Sequence, residues 1–436
     1  MPTNPSIKKL STLSLVAVIF FTISGGPYGL EPLLSYCSGK QSIILLIVVP
    51  ILWDIPIILT VLELNGMMPK IGGYYLWIKH ALGLRWAFYE GWWSWLTTFI
   101  DLAIYPQLFI MYASLLFPEI APYRIPMCIL IVWMGAIINI LGIVQVGRTS
   151  IVLGILVLVP FIVMFFLGSS HLYFNGLQKT TSSPSYFGLA IFTIIWNYIG
   201  WDNVTTYAEE VQKPTTSYLK GISSAFVLIF CMYILVTVIA VNSGIPISDL
   251  KNNGYPVLAQ KIGGKWLSTF VAIGGMISSI GIFLAVLLSI ARVPEKMSID
   301  KLLPQKICAL HPRFGTPYLS ILLCAIVVTF LVAFTFDKLL IVDISMYFLG
   351  MTLEFLSLIV LRIREPNILR PFKIPLNTIG LCVMLLIPTT IYLIAFTDIL
   401  MKEEDALKAF GLVFLLIISA HVAWRFAQRN LQKKQY

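Results

Sequence analysis

Charge is the scarcest commodity in this chain. Asp, Glu, Lys and Arg make up 11% of its 436 residues, against about 25% in ordinary soluble domains, so a soluble domain is excluded. Histidine is nearly missing: His80, His171, His311 and His421 stand far apart in loops or at helix ends, and no metal site is expected from them. The six cysteines, Cys37, Cys128, Cys231, Cys308, Cys324 and Cys382, occur singly without a Cys-x-x-Cys pair, which leaves them as small apolar fillers. Neither His-Glu-x-x-His nor Gly-x-Ser-x-Gly occurs, so an enzyme inside a membrane would have no metal or nucleophile to work with; no enzyme and no cofactor are expected.

Apolar residues fill the space instead. The chain is 58% hydrophobic, and a membrane-spanning helix needs roughly 20 such residues in a row. Twelve runs qualify, centred near residues 22, 52, 103, 133, 158, 198, 231, 280, 326, 350, 386 and 417. The N-terminus carries Lys8 and Lys9 but no small-residue cleavage site, so the first helix is expected to remain. With that terminus inside, most Lys and Arg, from Lys8 through Arg148, Lys213 and Arg292 to the basic tail 425–434, fall on the cytoplasmic side. A multi-pass protein of the cell membrane with both termini cytoplasmic follows. The net charge of +10 is then explained by topology and anionic lipid, with no nucleic acid partner.

Two of the runs are broken in their middles, by Ser24-Gly25-Gly26-Pro27-Tyr28-Gly29 and by Asn197-Tyr198-Ile199-Gly200-Trp201-Asp202-Asn203. Unpaired backbone survives in hydrocarbon only where protein or a water-filled cavity surrounds it. Matched breaks in two halves of a membrane protein point to the substrate site of an inverted-repeat carrier. Each break opens a run of five helices, and an odd number forces the second unit to enter from the opposite face. The expected architecture is a single all-α integral membrane domain over 1–436, with a first repeat at 10–168, an inverted second repeat at 187–364 and two accessory helices at 376–428. Segment 65–85, with its Tyr, Trp and Met residues, reads as interfacial. The outer loop 243–265 is long enough for a short helix over a vestibule, and 292–317 is a basic inner loop.

At the first break, Ser24, Gly25 and Gly26 barely cover their amides, and Pro27 suits the first turn of a new half-helix whose positive end would hold a carboxylate. The plain alternative is a kink in a packed helix. At the second, the carbonyls of Asn197 through Gly200 suit an ammonium group or a cation. Asp202 is an N-cap, a substrate contact or both. Tyr28 and Trp201 stand beside the breaks; Trp196 and Tyr198 read first as packing. Carboxylates within spans are costly and usually kept for a pathway or proton relay: Glu31, Asp54, Asp101, Asp343, Glu63 and Glu354, with Asp54 and Asp101 deepest and solvation or pairing the expected role of Glu63 and Glu354, nearer the inner ends. Glu209 and Glu210 read as an inner gate or as exposed ion pairs. Ser278 and Ser279 would offer hydroxyls to sodium, or simply pack closely.

Together, Gly25-Gly26-Pro27-Tyr28-Gly29 with Glu31, Trp53-Asp54-Ile55-Pro56, Gly72-Gly73-Tyr74, Gly91-Trp92, Asp101 with Tyr105-Pro106, Trp201-Asp202 with Glu209-Glu210, Gly315-Thr316-Pro317, Leu353-Glu354-Phe355-Leu356 and Arg370-Pro371-Phe372-Lys373-Ile374-Pro375 resemble the amino acid-polyamine-organocation superfamily across nearly the whole chain. The pattern is nearest to its polyamine uptake branch. The resemblance implies a leucine-transporter-type fold of 5+5 inverted repeats with discontinuous helices 1 and 6, alternating access, and coupling to a proton ahead of sodium. Two places where that branch tends to carry acids hold Ile57 and Val286 here, and 148–168 has no lysine. The expectation is therefore a secondary carrier of an amino acid or related amine, by symport or exchange, with a polyamine as the alternative substrate and a non-transporting membrane sensor as the rival of another class. The oligomeric state is open.

Overall fold

The computed structural model describes residues 11–70, 72–142, 146–171 and 186–433. Every regular element among them is helical. In chain order these are α1 (Thr12–Ile23), α2 (Leu33–Tyr36), α3 (Gly39–Leu52), α4 (Asp54–Met67), α5 (Gly73–Leu82), α6 (Leu84–Leu116), α7 (Arg124–Ile140), α8 (Val146–Leu167) and α9 (Phe187–Trp196). They continue with α10 (Pro214–Asn242), α11 (Ile247–Asn253), α12 (Tyr255–Gly263), α13 (Lys265–Ser289), α14 (Arg292–Ile299), α15 (Tyr318–Leu331), α16 (Phe336–Arg364), α17 (Thr378–Lys402) and α18 (Ala406–Lys433).

Among the described residues, eight stretches are long and apolar enough to cross a membrane, including Gly39–Met67, Leu84–Leu116, Pro214–Asn242 and Phe336–Arg364. Four shorter apolar helices accompany them: Thr12–Ile23, Ile151–Leu167, Phe187–Trp196 and Tyr318–Leu331. The chain is thus a multi-pass membrane protein. Its outward side chains agree: Leu130, Val152, Phe330, Ile379 and Leu407 are all exposed, a surface that only lipid tolerates at this extent. At a rise of 1.5 Å per residue α6 is about 50 Å long, well beyond a hydrocarbon core of about 30 Å.

Local sequence fixes the starts and stops. Ser38 and Gln41 form a capping box at α3. Pro214 opens α10 directly after Lys213, which adopts a left-handed conformation. Segment 65–85 departs from its interfacial expectation. Its α5 buries Tyr74, Tyr75, Trp77 and Ile78 inside the protein, and Tyr75 and Lys79 both bond Asp300, at 2.6 and 2.5 Å. The apolar face that resembled a lipid contact is a protein contact. Loop 243–265 does carry short helices, α11 and α12, and Tyr255 at the start of α12 donates its amide to Glu31 at 3.4 Å. Between α17 and α18, Lys338 and Lys408 flank the Asp405 carboxylate and lower its pKa to about 2.

Of the two roles expected of Glu63 and Glu354, solvation or pairing, Glu63 on α4 takes pairing; Glu354 is buried rather than solvated. Arg362 reaches it through Nε at 2.5 Å and Nη2 at 2.6 Å, Arg370 lies 3.2 Å away, and the Ile374 amide donates at 2.8 Å.

Candidate functional site

The first break is built from glycine. α1 ends where the Ser24 and Gly25 amides both donate to Phe20 O, at 3.0 and 3.1 Å. Gly25 and Gly26 then take φ of +57° and +106°, a region where side chains are strained. Helix does not resume at Pro27. Isolated turns lead to α2, a single turn of four residues. Of the amides expected to face a carboxylate, Gly26 N donates to Ser24 Oγ at 3.1 Å, and beyond them Gly29 N donates to the chain's own Glu31 at 2.7 Å. This break is satisfied from within.

The second break is left open on its acceptor side. α9 stops at Trp196, and Gly200 takes φ of +104°. The carbonyls of Tyr198, Ile199 and Gly200 accept no hydrogen bond among the described residues. The chain continues not as an α-helix but as a 3-10 segment, Asn203–Glu210. The Thr205 and Thr206 hydroxyls bond back to the carbonyls three residues earlier, at 2.6 and 2.8 Å, which favours that tighter winding. Asp202 makes no side-chain cap bond; its carboxylate accepts from Tyr347 at 3.0 Å.

The breaks meet. Asn197 Nδ2 lies 3.4 Å from Gly29 O, and the buried Tyr233 hydroxyl lies 2.7 Å from Ser24 Oγ and 3.1 Å from Asn197 O. Tyr233 was not singled out from the sequence, because a tyrosine inside an apolar run gives no signal of its own. Between the breaks lies a cavity of about 100 Å³. Of the residues named from the sequence, Ser24, Tyr28, Asp101, Asn197, Gly200, Asp202, Ser278 and Ser279 line it. Gly25 and Gly26 shape it without lining it. Trp201 does not: its ring is fully buried, and Nε1 points 3.3 Å from Asp54 Oδ1, away from the cavity. Asp54 and Glu31 are likewise outside the lining. Trp196, read as packing, does line it, because the missing side chain of Gly29 lets its ring approach. The side chains of Glu209 and Glu210 lie outside the described residues.

The cavity is acidic. Glu90, Asp101, Asp202 and Asp343 all line it, and among the described residues no Lys or Arg does. Asp101 accepts from the Tyr105 hydroxyl at 3.0 and 2.9 Å and from Trp196 Nε1 at 3.1 Å. Among the described residues, both oxygens of the fully buried Asp343 lack a hydrogen-bond partner, as does Glu90 Oε2. An ionised carboxylate so buried and unpaired is costly, so these atoms need a cation or a proton. Glu90 escaped the sequence reading: it sits in an aromatic run near the start of α6. The signal was periodicity, since Glu90, Ser94, Thr97 and Asp101 fall on one helical face. A side chain at Gly26 would collide with this site. Its Cβ would stand 2.7 Å from Val157 Cγ1 and 3.1 Å from the Tyr28 ring. Gly26→Leu is expected to abolish ligand binding, read by ligand-induced thermal shift, while the helical circular-dichroism spectrum persists; unchanged affinity would mean that the break is only a kink.

The sequence model of the amino acid permease family matches residues 10–400. A polyamine transporter of Oryza sativa subsp. japonica is 32% identical over 434 residues, covering 98% of this chain and 81% of its own. A polyamine transporter of Arabidopsis thaliana is 31% identical, covering 91% and 82%. A serine/threonine exchanger of Bacillus subtilis is 24% identical, covering 85% and 86%.

Proposed function

The chain belongs to the amino acid permease family, and from that premise we propose that it carries a small polycationic amine across the cell membrane by alternating access. The observation that supports this most is the cavity between the breaks, lined by four carboxylates and, among the described residues, by no basic one. An amino acid would bring a carboxylate of its own into that field. The amides that were to receive it are engaged: those of Ser24 and Gly25 by Phe20, that of Gly26 by Ser24, and that of Gly29 by Glu31. A polycation instead supplies what Asp343 and Glu90 lack. The acids absent at Ile57 and Val286 argued against such a substrate; Glu90 and Asp343 take over their task. The polyamine transporters among the relatives support the same reading.

The reading extends to the architecture. The four shorter apolar helices, added to the eight long ones, make twelve crossings, arranged as repeats over 10–168 and 187–364 with accessory helices at 376–428 and both termini cytoplasmic. Coupling is to protons or by exchange rather than to sodium. The Ser278 hydroxyl donates directly to Gly25 O at 2.5 Å and Ser279 to Gly275 O at 2.8 Å, so the oxygens that would clasp sodium bond each other or their own helix. Reconstituted in proteoliposomes under an imposed proton gradient or with counter-substrate inside, the protein is expected to accumulate labelled spermidine and not labelled serine. Serine uptake without spermidine uptake would overturn the proposal, and binding of either without flux would favour a sensor.

A further inference from the structure

Glu90, Asp101 and Asp343 line the cavity, and with Glu354, which lies behind its lining, they form two pairs at a fixed separation. On α6, Glu90 and Asp101 are eleven residues apart; on α16, so are Asp343 and Glu354. Eleven residues are three turns, so both members of each pair share a helical face, about 16 Å apart along the axis. The helices run antiparallel at this contact. Asp343 lies within electrostatic reach of Asp101, and Glu354 within reach of Glu90 and Asp202. The absence of a side chain at Gly350 brings α16 against Glu90, where a Cβ would be 2.7 Å from Oε1. The result is an acidic group at each end of one narrow slot. Each end presents oxygens that are buried and have no hydrogen-bond partner among the described residues, both of Asp343 at one and Oε2 of Glu90 at the other. Between them the wall is hydroxyl and thioether, from Ser94, Thr97, Thr98 and Met346.

We infer that the slot measures its substrate: it binds a linear amine whose two terminal ammonium groups reach both acidic ends at once, and it discriminates by length. This rests on the cationic-amine reading above and adds the spacing. With each ammonium about 2.8 Å from its carboxylate, the nitrogens must be about 10 Å apart or more. A saturated chain advances about 1.2 Å per bond, the pitch that peptide backbone dimensions imply, so about eight bonds are the minimum. Spermidine, with nine bonds between its terminal nitrogens, spans the slot. A four-carbon diamine reaches only one end.

The test is displacement of labelled spermidine from the purified full-length protein by a series of α,ω-diaminoalkanes of about four to twelve carbons. Competitors are expected to gain about tenfold or more in affinity as the chain passes about seven carbons, the gain of a second buried ion pair. Glu90→Gln and Asp343→Asn are each expected to flatten that step to within about threefold. Affinity that climbs smoothly with carbon number, or is flat in the wild-type protein, would overturn the spacing while leaving the cationic-amine reading intact. Failure of every amine to bind would overturn both. The wild-type series stands by itself if a variant does not fold.

Discussion

Asparagine in place of Asp101 is expected to lower amine uptake by a factor of about 30 or more. The carboxylate sits where the Tyr105 hydroxyl and Trp196 Nε1 converge on it, and Asp343 beside it has no hydrogen-bond partner among the described residues. On the proposed reading, an ammonium entering this site would be neutralised by the two together. Truncating one partner of a buried, hydrogen-bonded charge pair costs about 2–5 kcal/mol, and each 1.4 kcal/mol is about tenfold. Asparagine keeps an oxygen for Tyr105 and Trp196, so the loss should fall on the ligand rather than on the fold. Initial uptake rates against amine concentration would show it, with an unchanged melting temperature as the control. Because Asp101 and Asp343 act on one group, the double variant with Asp343→Asn should lose less than the sum of the two single losses. Uptake equal to wild type in Asp101→Asn would remove this residue from the site.

The largest loss of stability is expected at Glu63. Its side chain is fully buried, and those of Arg362 and Arg370 are 8% and 3% exposed. Glu63→Ala leaves two guanidinium groups inside the protein without a counter-charge and frees the Ile374 amide. Breaking a buried pair in this way destabilises by about 3–5 kcal/mol. The rest of each guanidinium is held by carbonyls, Arg362 by Ile374 and Leu376, Arg370 by Pro366, Ile368, Leu361 and Glu365. The segment after α16 is therefore tied to α4 through this acid. Thermal unfolding in detergent should show a clearly lowered midpoint for Glu63→Ala, with Glu63→Gln intermediate because it retains packing and one acceptor. An unshifted midpoint for both would mean that the two arginines hold the segment without it.

Membrane insertion and both breaks were legible because each depends on short-range chemistry. Twenty apolar residues span, and Gly-Gly-Pro or a glycine beside Asp202 stops a helix whatever surrounds it. How the chain resumes after each break was not legible. A single turn at α2 and a 3-10 segment after Asp202 depend on Glu31 reaching back to Gly29 and on threonine hydroxyls bonding backward. Segment 65–85 was misread because protein interior and lipid are equally apolar; Tyr74 and Trp77 would suit either. Trp201 and Trp196 exchanged roles for a similar reason, since adjacency to a break in sequence does not say which side of the backbone faces the hollow. Glu90 lay outside the reading until α6 was traced as one helix that places it on the face of Asp101.

The most direct test is an experimentally determined structure with spermidine bound at saturation. The account expects elongated ligand density between the two breaks, one terminal nitrogen against Asp101 and Asp343 and the other toward Glu90. Continuous helix through Gly25 and Gly200, or density seated away from these carboxylates, would contradict it.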